Sequence, residues 1–303
     1  MANKEEGGAM TVWEPINGVY MATTATTPFL VNLGWLEKWA NSPLITAVIG
    51  GMIGAGFGAW AAGYIAKRGK RYESINEEIR ACNLAMLLSQ QCFNLALTLK
   101  IDAVKPITEA YNIARGEYLD TKVDAPSERQ SLQKIHPISP PLDALRTTAL
   151  EHLTLPGPAI RAVLQVVEST NCLNRALILR NELTDTFLHQ QFPPGMNFHH
   201  MYFGIPKDGT CHAGYMDSMK SMTRYNDEAL FFSMTLCQML DDQGVQLRKE
   251  RKKLSRGKVS INRFRLNDRI PEGIIPNSGN YAEWFAGYEV HTVSKKRWYW
   301  SRR

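Results

Sequence analysis

The chain has 303 residues, 44% hydrophobic and 21% charged, with a formal net charge of +6; this excludes an intrinsically disordered chain and allows one large or two ordinary domains. The positive excess sits in three runs, Lys67 to Arg71, Arg248 to Lys258 and Lys295 to Arg303, so its distribution matters more than its total. The cysteines, at 82, 92, 172, 211 and 237, show no CxxC spacing, which argues against a disulfide framework and for reduced thiols in a cytosol.

Residues 1 to 43 carry only Lys4 and Lys38 against Glu5, Glu6, Glu14 and Glu37. They are followed by the strongest feature of the chain, Leu44 to Ala66, 23 residues without a charge. As a helix this run measures about 34 Å, enough to cross a hydrocarbon core of about 30 Å. Ser42 and Pro43 suit a helix start. Trp35 and Trp39 on one side, and Trp60 and Tyr64 on the other, stand where interfacial aromatics belong. Lys67, Arg68, Lys70 and Arg71 close the run, so the positive-inside tendency puts the C-terminal side in the cytoplasm. A cleaved signal peptide fits less well, because a basic n-region is missing and the apolar run starts late and is too long. The expected address is a bacterial inner membrane, crossed once, with the N-terminus outside.

Within the run, Gly50, Gly54, Gly58 and Ala62 recur every fourth residue, and Gly51, Ala55, Ala59 and Gly63 form a second row. Residues four apart share a helix face, so the rows make shallow grooves in which another backbone can lie close. The lipid bilayer and further copies of the same chain are thus the expected partners of this helix, as a homo-oligomer.

Behind it, apolar residues at 75, 79, 86, 93 and 97 predict an amphipathic helix over about 67–100. Asn83, Gln90 and Asn94 lie beside this stripe, either setting a bundle's register or marking the stripe's edge. A second helix is expected over about 104–118. Residues 119 to 157 then form a proline-rich connector with a short helix over 142–153, since proline fixes the backbone and lacks the amide proton. Two more amphipathic helices are predicted over about 158–190 and 212–254, separated by a turn-rich loop. Residues 255 to 303 show little periodicity and read as a basic, aromatic tail, with a short hairpin around 285 to 293. The fold class is therefore mainly α: one N-terminal transmembrane helix continuing into a cytoplasmic antiparallel helical bundle, with an irregular C-terminal tail.

Three chemistries have residues to offer. His199, His200, Cys211, His212 and Asp217 are metal-ligating types gathered near one loop, but without CxxC, HExxH or paired Glu-x-x-His spacing. Nucleotide or hydrolytic chemistry lacks a phosphate-cradling or nucleophile-elbow motif, and Asp217, Asp227 and Glu228 read more readily as a face paired with Arg161, Arg175 or Arg180. Arg251, Lys252 and Lys253, with Lys295, Lys296, Arg297, Trp298 and Trp300, interleave cations and aromatics, which suits an anionic leaflet or, less well, nucleic acid. No catalytic residue and no cofactor is expected. The function that fits is a membrane-anchored, self-associating helical module, a sensor, scaffold or adaptor with a cytoplasmic protein partner. A pore-forming effector and a tethered metal-dependent hydrolase are the alternatives.

Overall fold

The computed structural model describes residues 43–121, 132–255, 257–266 and 269–287. The protein is mainly helical, and no strand occurs among the described residues. Helix α1 is Pro43–Leu99, followed by a π-helical turn, Lys100–Val104, and α2, Lys105–Thr121. Then come α3, Leu142–Glu151; α4, Gly157–Leu188; α5, Phe198–Phe203; and α6, Gly214–Leu254. A 3-10 turn, Ser278–Tyr281, leads into α7, Ala282–Ala286. Among the described residues one helical run is long and apolar enough to cross a membrane.

The chain divides into two units, one ending at Tyr64 and one beginning at Ile65. In the first, the described residues are the opening turns of α1. Trp60 and Tyr64, one turn apart, stack there with ring centroids 5.9 Å apart.

In the second unit, α1 buries residues 75, 79, 82, 86, 89, 93 and 96, a regular alternation of four and three. That alternation keeps one seam facing a partner helix, as in a coiled coil. Its partner is α6, which buries Met219, Met222, Asn226, Ala229, Ser233, Leu236 and Leu240 in the same rhythm. Side chains at the seam also bond backbone across it. Cys82 Sγ donates to Leu240 O at 3.3 Å, Ser89 Oγ to Ser233 O at 3.1 Å, and Asn226 Nδ2 to Ala96 O at 3.0 Å. Numbers rise in α1 as they fall in α6. Helix α4 packs along α6 and buries Ala159, Val163, Val166, Leu173, Leu177 and Phe187 on one face.

The π turn has a local cause. Pro106 has no amide proton, so the α-helical bond from residue 106 to the carbonyl of Asp102 is missing. The Lys105 amide instead reaches back five residues to Lys100 O. The helix expected to stop near 100 and restart at 104 therefore continues through a widened turn. Lys100 is buried at this turn, its Nζ 2.6 Å from Asp227 Oδ1 and donating to Ile274 O at 2.5 Å.

Stretches without regular structure are held by asparagines on the helices. Asn174 on α4 accepts from the Ile138 amide at 3.0 Å and donates to its carbonyl at 2.8 Å; Asn181 treats Ile135 in the same way, at 3.1 and 2.7 Å. On α1, Asn83 donates to Ser260 O and accepts from the Asn262 amide. Each clamp satisfies peptide groups that have no ladder partner. Asn83 thus holds the C-terminal segment and is neither a register-setting bundle contact nor an idle edge.

The segment expected to be a tail is instead anchored to the core at several described side chains, while most of its other described residues are exposed. Val259, Ile261 and Phe264 join the core beside α1 and α6. Tyr281 stacks on Phe231 at 3.8 Å, and Trp284 meets Phe232 at 5.1 Å. The expected hairpin falls partly on α7, which is helical; residues 288 to 293 lie outside the described residues. Gly244 is where α6 lets this segment approach: a Cβ there would stand 2.7 Å from Ile261 Cγ2. Gly244→Ala is expected to lower the unfolding free energy by about 1–3 kcal/mol through overpacking. Gly116→Ala, at an open position in α2, is expected to raise it by about 0.5–1 kcal/mol through helix propensity. Denaturant titration of the full chain in mild detergent, followed by circular dichroism, reads both.

Candidate functional site

The small-residue rows lie on an uncovered helix. Gly51, Gly54, Ala55, Gly58, Ala59, Ala62 and Gly63 are all exposed, and a Cβ built at Gly51, Gly54, Gly58 or Gly63 meets nothing within 4 Å. Gly50 lies in the same helix. The large side chains are just as open, Met52 at 72% exposure and Phe57 and Trp60 at 69%. Trp35 and Trp39 lie outside the described residues.

At the start of the second unit Ile65 is 69% exposed, and the basic cluster follows. Arg68 Nη2 donates to Leu254 O at 3.0 Å, at the last turn of α6, and Arg71 lies 3.6 Å from Glu250. Both contacts are at the surface, where such pairs contribute about 1 kcal/mol or less. Lys67 and Lys70 are exposed.

Among the cations assigned to polyanion binding, Arg251 is misplaced by the sequence reading. It is buried and fully engaged: Nε donates to Asn76 Oδ1 at 2.7 Å, Nη1 to Gly257 O at 2.7 Å and Nη2 to the Tyr72 hydroxyl at 3.0 Å. Hydrogen bonding to Asn76 and then to Arg251 holds the Tyr72 phenol below its ordinary value. Arg251 thus joins α1, α6 and the C-terminal segment. Lys252 and Lys253 remain exposed. Lys295, Lys296, Arg297, Trp298 and Trp300 lie outside the described residues.

The proposed metal ligands do not converge. Among the described residues no group of three His, Cys, Asp or Glu side chains is placed to hold an ion. Neighbours on the short helix α5 point about 100° apart, so His199 and His200 have different surroundings. The His199 ring stacks on Tyr118 at 4.6 Å, whereas His200 bonds Asn197. Cys211 is exposed and contacts Gly204 O, His212 lies against Gly214, and Asp217 is exposed in the first turn of α6. The carboxylates farther along α6 pair with Lys100 and, for Glu228, with Arg224 at 2.8 Å. Arg180, suggested as a partner, is buried and donates to Gln133 O at 2.8 Å.

Two features have no signature in the sequence reading. One is an open groove of about 830 Å³ where Leu87, Gln91 and Leu95 of α1 face Ile135 and His136 of the connector, with Asp102 of the π turn at its end. Pro106 is the residue that could have signalled the break. The other is a set of buried thiols along the α1–α6 seam. Burial pushes Cys82 and Cys237 up to about 11 and Cys92 up to about 12.

No protein-family model, no curated protein and no solved structure matches the chain.

Arg251→Ala is expected to cost about 2–3 kcal/mol of stability, because three charge-assisted bonds are lost from a buried site, while Lys252→Ala and Lys253→Ala stay within about 0.5 kcal/mol. Denaturant titration separates them. The thiols supply a pH test. A folded-state value raised above the ordinary 9.0 stabilises the fold fully below pH 9.0, and that contribution is lost as pH rises through about 11 to 12. At about pH 8 iodoacetamide should modify Cys211 well before Cys82, Cys92 or Cys237, since only a reachable thiolate reacts; peptide mass mapping over time gives the order.

Proposed function

We propose that the chain is a single-pass membrane protein that self-associates through its N-terminal helix and presents an antiparallel helical bundle in the cytoplasm to a protein partner, as a sensor, scaffold or adaptor. The observation that carries this reading is the exposure of Met52, Phe57, Trp60 and Ile65 on one continuous apolar helix. Water-soluble proteins rarely leave an apolar patch of this extent uncovered, and lipid or another helix removes it from water. Lys67, Arg68, Lys70 and Arg71 favour the cytoplasmic leaflet on the bundle side.

Because lipid tails are as apolar as leucine, helix pairing in a bilayer relies on close van der Waals contact over small residues. The open faces at Gly51, Gly54, Gly58 and Gly63 offer that contact. A water-filled pore would need many polar side chains along the helix, and from Leu44 to Ala66 only Thr46, Trp60 and Tyr64 carry an O–H or N–H. A metal-dependent hydrolase would need ligands that converge. An adaptor needs neither, and the groove beside the π turn gives a partner an apolar surface edged by amides.

The test is a pair of leucine substitutions read by cross-linking in phosphatidylcholine bilayers. Gly54→Leu fills the row and is expected to leave the chain monomeric. Gly56→Leu, on neither row, is expected to leave the oligomer intact. An oligomer that survives Gly54→Leu, or that both changes weaken equally, overturns the assignment.

A further inference from the structure

A second cavity, of about 370 Å³, opens between α2 and α6. Its apolar wall is Tyr111, Met216 and Met219, and its cations are Arg115, Lys220 and Arg224. They arrive there by helical spacing, since residues 108, 111, 112 and 115 share one face of α2 and 216, 219, 220, 223 and 224 one face of α6. No carboxylate is among its described lining residues.

The hydrogen bonds decide which of its polar groups remain for a ligand. The Tyr111 hydroxyl donates to Tyr202 O at 3.2 Å, and burial holds it well above the ordinary phenol value, so it stays neutral. Thr223 Oγ1 donates its one proton to Met219 O at 3.0 Å, so Thr108 is the donor in the 3.1 Å bond between the two hydroxyls. Both hydroxyl protons are spent inside the wall. Arg115 is fixed by donation from Nε to Phe203 O at 3.2 Å, which leaves its two Nη groups for another acceptor. Arg224 gives Nε to Glu228, and Lys220 is exposed with no ion-pair partner among the described residues. Donors therefore stand at the mouth, on cations and the Asn112 amide, over a wall of ring and thioether surface.

That division suits an anion attached to an apolar group. A carboxylate occupies one guanidinium fork, whereas a phosphomonoester brings nearly two charges and three terminal acceptor oxygens, enough for two guanidinium groups and an ammonium. The volume is that of a small-molecule site. We infer that the α2–α6 cavity binds a phosphomonoester with an apolar or aromatic ester group, held by Arg115, Lys220 and Arg224. The site stands independently of the membrane reading.

The experiment titrates phenyl phosphate by calorimetry into the full chain held in phosphatidylcholine nanodiscs. The expected result is saturable one-to-one binding with Kd at or below about 1 mM, with benzoate about tenfold weaker and phenol weaker still. Lys220→Gln, at a solvent-exposed position, is expected to weaken binding about fivefold at unchanged thermal midpoint. Arg248→Gln, an exposed cation elsewhere on α6, is expected to leave it unchanged. Absence of saturable binding, equal binding of benzoate, or equal effects of Lys220→Gln and Arg248→Gln overturns the proposal. Repeating the titration in discs containing phosphatidic acid separates two sources of the same chemistry: competition assigns the phosphate to a lipid headgroup, and its absence assigns it to a soluble ester.

Discussion

Between Ile75 and Ala96 the first helix meets α6 along a strict four-three alternation, and the organisation of the second unit rests on that seam. From Ile79 onward its positions are alternately bulky and small: Ile79, Met86 and Phe93 supply apolar volume, while Cys82 and Ser89 meet carbonyls of α6 and the Ala96 carbonyl meets the Asn226 amide. Thiol, hydroxyl and amide protons cross the contact to backbone oxygen, so the seam specifies register as well as burying apolar area. With the seam in place, Lys100 can be buried against Asp227, and the C-terminal segment can lie over Gly244, held by Asn83 and Arg251. Removing one partner from such a buried charge pair leaves the other uncompensated, which makes these joints sensitive points of the fold.

The same helix, Pro43–Leu99, is two physical objects in one element. From Ile75 it has one apolar face and that face is covered. Before Ala66 its sequence is apolar all round, and the side chains described there, from Gly51 to Ile65, are exposed. A one-sided helix fits a soluble core, whereas an all-round apolar helix fits hydrocarbon. The change of character falls at Lys67, Arg68, Lys70 and Arg71, the place where a membrane surface would have to be. This coincidence joins the exposed rows and the basic cluster in a single account.

Much of the helical content was legible because it follows from periodicity and from proline. The prediction of 158–190 came close to Gly157–Leu188, and that of 212–254 to Gly214–Leu254, since Pro156 stands just before the first helix, Pro158 in its first turn, and Pro193 and Pro194 follow it. Ile75, Ile79, Met86 and Phe93 marked one stripe correctly. Cys82, Ser89 and Ala96 did not, because their small side chains add little apolar volume to a stripe and so do not by themselves mark a seam. The anchoring of 257–266 and 269–287 was illegible for a different reason: some of the peptide groups there are satisfied by side chains far away in sequence, and the segment has no period of its own. Arg251 was hidden in a basic run whose composition does not separate a buried guanidinium from solvated lysines. The metal-ligating types of the histidine loop, near one another in sequence, form no converging group among the described residues, because proximity in sequence is not convergence in space. The two cavities join segments distant along the chain, and only the folded protein brings their linings together.

The central claim, that residues 44 to 66 hold the chain in a bilayer, is tested most directly by flotation. Membranes from cells expressing the full chain would be washed with alkaline carbonate and floated through a density gradient, beside a variant lacking those residues. The account requires the full chain to rise with the lipid after the wash and the variant to stay in the dense fractions. A full chain released by carbonate, or a variant that floats as well as the full chain, would contradict it.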